Sequence, residues 1–366
     1  MNLRRFRQSF PPHGVEAYNL AAMTVTVRSF AKINLGLRIG AIRLDGFHEL
    51  LTVYQTIALH DVIRLSVKRG RGIEIFCTNP RVPKDESNTC YGIVEKAMRA
   101  MKLKGRVVVE IQKRLPVQGG MGGASSNAVA ALLALERAVG KNLTADERLR
   151  IAGEVGSDLP LFLVGGTVLG VGRGEQVYPL QDIPVVPCVV ITPEVGVSTP
   201  NAFAEWDRRT SGTGASSSVA SLLTASFGLK RHAKKEPLEL TVGEASDRMS
   251  ELARGLSAWL SESYSGAPFR RGRAENPLLA LVRAGIKNDF EQVVFPEYPE
   301  LSEGKKALQR AGAQYVSLSG SGSTLYGLFG SKDAASAAVT KLRSFGWTAQ
   351  ATVSLTRREY WRRIFG

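Results

Sequence analysis

The residues best suited to chemistry lie in one run, LPVQGGMGGASSNAVAALLAL, residues 115–135. Here Gly119, Gly120, Gly122 and Gly123 surround Met121, and Ala124 and the hydroxyl pair Ser125 and Ser126 follow. Glycines let main-chain N–H groups approach an oxyanion without side-chain interference, and a helix start adds unpaired donors and the positive end of its dipole. The pattern predicts an anion cradle with phosphate as its expected occupant. A plain turn is the bland alternative, and the long apolar helix pattern of residues 128–139 weighs against it. Neither common phosphate loop is matched, since there is no G-x-x-x-x-G-K-[ST] and no clean G-x-G-x-x-G.

Other polar residues are less telling by themselves. Lys32 in SFAKINLGL reads as a lysine on a strand, and His48 as a turn histidine after Gly46. Asp158 in GSDLP reads as a helix N-cap ahead of Pro160. Ser125 and Ser126 could equally cap the helix they precede, and Gly320, Ser321 and Gly322 could form a tight turn. Cys77, Cys90 and Cys188 are far apart and fit no zinc or disulfide pattern, so a reducing cytoplasm is expected.

The elements that must position these residues follow from periodicity. Alternation over residues 24–40 and 62–78 predicts that the amino-terminal part begins as antiparallel sheet. A helix over 88–102 and a strand over 107–115 come next, the strand running into Pro116 and the glycine loop. The following helix is apolar on nearly every face and stops at Gly140, as a buried helix with a glycine terminator does. Thr144 and Glu147 form a capping-box pattern, a short helix follows Asp158, and residues 165–180 read as a hairpin. Beyond a junction near 183, strands are expected around 185–193 and 314–329, with helices at 277–285, 301–311 and 332–345. Residues 208–276 read as an insertion rich in Ser, Thr, Gly and basic residues, with one amphipathic helix pattern at 245–263.

A chain of 366 residues, 44% hydrophobic and 22% charged, is long enough for two domains and excludes global disorder. No apolar run approaches the ~18 residues a spanning helix needs. Residues 1–22 lack the apolar segment of a secretory signal and read as a disordered extension before Met23, with a weak transit-like alternative. The net charge of +15 favours anionic partners without choosing among them. A non-catalytic nucleic-acid-binding protein is one reading of that charge, through the clusters at 230–235 and 270–273. No aromatic RNA-binding signature accompanies them, and a solvated basic surface is the simpler meaning.

P-x-x-G-G-M-G-G-A-S-S-N resembles the phosphate loop of the GHMP kinase superfamily, and SFAKINLGL (29–37) and SLSGSGSTLYGLF (317–329) fall where that superfamily has its other motifs. Within it, residues 43–61, GSDLPLFL and NDFEQVVFPEYPEL are similar to the branch acting on 4-diphosphocytidyl-2-C-methyl-D-erythritol, in isoprenoid biosynthesis. The resemblance implies an α+β fold of two domains. Residues 23–183 would form an ATP-binding domain like ribosomal S5 domain 2, and residues 184–366 a ferredoxin-like sandwich carrying the insertion. It implies phosphorylation of the acceptor's 2-hydroxyl by ATP with Mg2+, and it keeps a homoserine or mevalonate-like alcohol as the rival acceptor.

By the same resemblance, Lys32 and Asp158 are catalytic, a cation and a carboxylate around one hydroxyl. Asn88, Lys113, Pro116, Gly119, Gly120, Met121, Gly122, Gly123, Ala124, Ser125 and Ser126 bind the nucleotide, and Ser126, with Ser125 second, touches the metal. Asn34, Phe47, His48, Thr199, Phe203, Gly320 and Ser321 bind the acceptor, with an aromatic pair around the pyrimidine and His48 at its edge. Phe47 departs from the tyrosine common in the family, and Gln118 and Ala124 stand where glycine is frequent. A small-molecule substrate is expected, without nucleic acid or membrane, in a monomer or weak homodimer.

Overall fold

Strand β1 (Val25–Ile42) and strand β2 (His48–Lys68) pair antiparallel over most of their length. The register shifts between Phe30 and Ala31 and again between Asn34 and Gly36. Bulges bend a strand and re-aim its side chains, and here they bracket Lys32 and Asn34. The computed structural model describes residues 23–210 and 287–365. The helix patterns at 245–263 and 277–285, both basic clusters and most of the expected insertion lie outside the described residues.

The first sheet begins antiparallel, as the alternation predicts, and then departs from chain order. Strand β3 (Gly72–Cys77) follows β2 through a glycine turn but does not pair with it. Strand β4 (Arg106–Gln112) lies between them, antiparallel to β2 and parallel to β3. Helix α1 (Thr89–Ala100) makes the crossover. Parallel neighbours need a connection of about a dozen residues or more, and the 28 residues from 78 to 105 supply it. Helix α2 (Gly123–Val139) then packs on β1 and β2, buried at every position from Ser126 to Glu136, and ends at Gly140 with φ 66°. Truncating Leu132 or Leu135 there would cost about 2–5 kcal/mol.

Helix α3 (Ala145–Val155) starts with both halves of the Thr144–Glu147 capping box in place. Helix α4 (Leu159–Val164) and the hairpin of β5 (Thr167–Val171) and β6 (Gln176–Pro179) complete a six-stranded sheet, with β5 paired to β2.

The second sheet contains β7 (Pro187–Ile191), β8 (Tyr315–Leu318), β9 (Leu325–Leu328) and β10 (Ala349–Val353), in the order β10-β7-β9-β8. All its pairings are antiparallel, which is the ferredoxin-like arrangement. Helix α5 (Thr199–Thr210) follows β7, helices α6 (Glu291–Glu297) and α7 (Pro299–Arg310) precede β8, and α8 (Lys332–Ser344) joins β9 to β10. The last helix, α9 (Arg357–Ile364), crosses back: Leu355, Tyr360 and Ile364 belong to the core of the first sheet, and Tyr360 donates to the Phe162 carbonyl at 2.7 Å. Among the described residues no helix is long and apolar enough to cross a membrane.

Candidate active site

Residues Pro116 to Ser125 all line a cavity of about 380 Å³, together with Val82, Pro83, Asn88 and Ile111. That volume suits a small ligand. The loop has its shape because glycine alone fits at two points. Gly120 has φ +73°, and a Cβ there would stand 2.1 Å from the Ser319 carbonyl oxygen. Gly122 has φ +66°, and its Cβ would crowd the Phe162 ring at 2.9 Å and Lys32 Cγ at 3.1 Å. The turn before β9 clasps the loop, with Ser319 Oγ donating to the Gly120 carbonyl at 3.0 Å and Thr324 N to that of Gly119 at 3.2 Å. Gln118 occupies a left-handed conformation, φ 61°, and its Oε1 lies on the side toward Gly196. The cavity remains open beside it.

Lys113 reaches this cavity from β4 and pairs with fully buried Asp61 at 2.5 Å. Asp61 also accepts from the amides of Arg114 and Leu115, at 2.6 and 2.7 Å. This carboxylate therefore holds the segment leading into the loop. Asn88 caps α1, accepting from Cys90 N at 2.9 Å and donating to the Pro83 carbonyl at 2.6 Å, so its amide is committed to its own chain.

The two serines divide. Ser125 lines the cavity, whereas Ser126 is 2% exposed, absent from the lining, and hydrogen-bonded to Ser29 Oγ. Neither caps α2, whose N-cap is Gly122 with no side-chain bond. One step along a helix turns a side chain by about 100°, enough to send one hydroxyl into the cavity and the next into the core.

Beyond the loop, Lys32 N donates to the Met121 carbonyl at 3.1 Å. The Lys32 side chain is buried, with Nζ 2.7 Å from Asn34 Oδ1 and 3.4 Å from Asp158 Oδ2. Asp158 sits at the head of α4 but makes no capping bond. Its Oδ1 accepts from the Tyr54 hydroxyl at 3.0 Å instead. The capping role read from GSDLP alone is thus overturned, since its Oδ1 and Oδ2 face Tyr54 and Lys32. Burial, and then the Asp158 charge, push the Tyr54 phenol well above its usual range, which keeps it a donor. Tyr54 was not singled out from sequence; it reaches the site because the β1–β2 register sets it opposite Asn34.

Gly320 abuts this group, for a Cβ there would lie 3.4 Å from Lys32 Nζ. Asn288, also missed in the sequence, donates to the carbonyls of Leu318 and Gly320 at 2.8 and 2.7 Å. Ser321 Oγ and Thr199 Oγ1 are 2.7 Å apart, joining that turn to the start of α5. One helical turn on, Phe203 stacks on His48 with centroids 4.9 Å apart and planes at 12°. Phe47 is 53% exposed, and its ring carries the Arg173 guanidinium at 5.0 Å.

Every expected site residue except Ser126 therefore lines the loop cavity or falls in the adjoining chain of contacts from Lys32 to His48, with Phe47 at its rim. Residues 88–166 match the model for the GHMP kinases N terminal domain, and residues 273–346 that for the GHMP kinases C terminal domain. The chain is 34% identical over 343 residues to 4-diphosphocytidyl-2-C-methyl-D-erythritol kinase of Solibacter usitatus, covering 93% of this chain and 91% of that protein. The chain belongs to the GHMP kinase family. It is a small-molecule kinase.

Solved structures of GHMP kinases agree with the fold. A 4-(cytidine 5'-diphospho)-2C-methyl-D-erythritol kinase crystal structure aligns with TM-score 0.62 and 27% identity, over 90% of this chain and 98% of that one. Homoserine kinase from Cytophaga hutchinsonii aligns with TM-score 0.64 at 19% identity, over 96% and 98%, a likeness of fold alone. Within a GHMP kinase of this shape, the glycine cavity and the Lys32–Asp158 pair lie side by side, joined at Met121 and Gly122.

Proposed function

We propose that this kinase transfers the γ-phosphoryl group of ATP to the tertiary 2-hydroxyl of 4-diphosphocytidyl-2-C-methyl-D-erythritol, in a reducing cytoplasm. The observation that carries the chemistry is the Lys32–Asp158 pair, 3.4 Å apart beside a glycine loop. The acceptor follows from the relatives named for it, at 32–34% identity over most of the chain.

The residues act in defined roles. Main-chain N–H groups of residues 119–125 hold the phosphates at the start of α2, and Val82, Pro83 and Ile111 provide an apolar wall for the base. Asp158 accepts the hydroxyl proton, and Lys32 stabilises the incipient alkoxide. Tyr54 and Asn34 keep the carboxylate and the ammonium in place. Alignment and charge neutralisation supply most of the acceleration in such a transfer.

Mg2+ fits this site in one way. Among the described residues no cluster of three or more Asp, Glu, His or Cys side chains is present, so such an ion would take its oxygen ligands chiefly from phosphates and water. Ser125, which faces the cavity, would hold it in preference to Ser126. Its contribution when bound is neutralisation of phosphate charge.

An ADP-release assay with a panel of acceptors tests this function. Turnover is expected with the cytidylated substrate, and little with homoserine, mevalonate or 2-C-methyl-D-erythritol 4-phosphate. Preference for any of those three would overturn the acceptor assignment.

A further inference from the structure

One residue at the acceptor end, Asp207 beside the expected base-edge residue His48, is given no role by the motifs or by the proposed chemistry. His48 Nε2 lies 2.7 Å from Asp207 Oδ1. The imidazole is 7% exposed and clamped on two sides, by this bond and by the Phe203 ring. Phe203 is in turn held edge-on by Phe290, with centroids 4.9 Å apart at 76°. The orientation of His48 is therefore fixed.

Asp207 also selects where a neutral imidazole carries its proton. An ionised carboxylate only accepts, so the hydrogen of a neutral imidazole facing Asp207 resides on Nε2, and Nδ1 carries a lone pair. Among the described residues Nδ1 has no protein partner, and it is not one of the fully buried polar atoms left without one. It is open to a ligand.

Thr199, Phe203 and Asp207 recur every four residues on α5 and share one face. They span about 12 Å of helix. The Thr199 end is bonded to Ser321, next to Gly320 and Lys32 Nζ. An acceptor whose hydroxyl lies near Lys32 would extend along this face, with its base toward the Asp207 end.

We propose that Asp207 is a positioning residue that sets base specificity: it fixes the His48 tautomer whose Nδ1 accepts from the exocyclic amino group of cytosine. Uracil presents a carbonyl oxygen at that position, so two acceptors would face each other, and an unpaired polar contact in a closed site is costly. This inference rests on the proposed cytidylated acceptor.

The test compares 4-diphosphocytidyl-2-C-methyl-D-erythritol with its uridine counterpart in the wild type, Asp207→Ala and Asp207→Glu. The wild type should favour the cytidine form by about a hundredfold. Asp207→Ala should raise KM for that acceptor about tenfold, cut the preference at least as much, and leave kcat and KM for ATP within about twofold; Asp207→Glu should recover most of the preference. Nitrogen NMR of the wild-type protein, with His48→Gln for assignment, should show the His48 proton on Nε2. An unchanged preference in Asp207→Ala, equal losses on both acceptors, or a proton on Nδ1 would overturn the inference. A wild type that uses both acceptors equally overturns it too, leaving the kinase reading intact. A wild type inactive on both removes that reading, and this inference with it.

Discussion

The Tyr54 hydroxyl donates to Asp158 Oδ1 at 3.0 Å while Lys32 Nζ stands 3.4 Å from Oδ2, so the two oxygens of one carboxylate are held by different strands. Tyr54→Phe removes one of these holds without altering charge. It should lower kcat about tenfold with KM for ATP little changed, as steady-state ADP release would show. Unchanged kcat would mean that Lys32 alone positions Asp158.

The same phenol predicts a pH effect on stability. Burial pushes Tyr54, Tyr315, Tyr326 and Tyr360 above the ordinary tyrosine value of 10.0. The folded chain thus keeps protons that the unfolded chain releases, and stability present below about pH 10 falls as pH rises beyond it. Urea midpoints from pH 8 to 11 should decline at the alkaline end, and less steeply in Tyr54→Phe. A flat profile would contradict this.

Two loop positions give opposite expectations. At Gly120 a Cβ would meet Ser319 backbone at 2.1 Å, so Gly120→Ala should destabilise by about 1–3 kcal/mol and raise KM for ATP more than tenfold. At Gln118, whose φ is 61°, glycine relieves left-handed strain, and Gln118→Gly should stabilise by about 0.5–1 kcal/mol with KM for ATP unchanged. Denaturation curves and ATP titrations check both.

Ser125→Ala should raise the Mg2+ concentration needed for half-maximal turnover several-fold. Ser126→Ala should leave that concentration unchanged and lower stability instead, by about 1 kcal/mol, through its lost bond to Ser29. Reversed effects would restore Ser126 as the metal-facing hydroxyl.

The glycine loop was legible in the sequence because its signal is local: glycines, hydroxyls and an apolar helix in one run. The Gly140 terminator and the Thr144–Glu147 box were legible for the same reason. Tyr54, Asp61, Asp207 and Asn288 were not. Each acts on a partner distant in sequence, as Asp61 does on Lys113 and Asp207 on His48, and only strand register or helix docking brings them together. The parallel β3–β4 pairing was hidden similarly, since alternation marks a strand but not its neighbour. Which of Ser125 and Ser126 faces the cavity was not legible either, because adjacent residues on a helix point different ways and the loop motif does not say which.

Single-turnover phosphoryl transfer by Asp158→Asn tests the central claim most directly. With ATP and 4-diphosphocytidyl-2-C-methyl-D-erythritol saturating, the rate should fall by about a hundredfold or more, while both ligands bind within a few-fold of their wild-type affinities. Transfer at near wild-type rate would contradict Asp158 as the group that takes the hydroxyl proton.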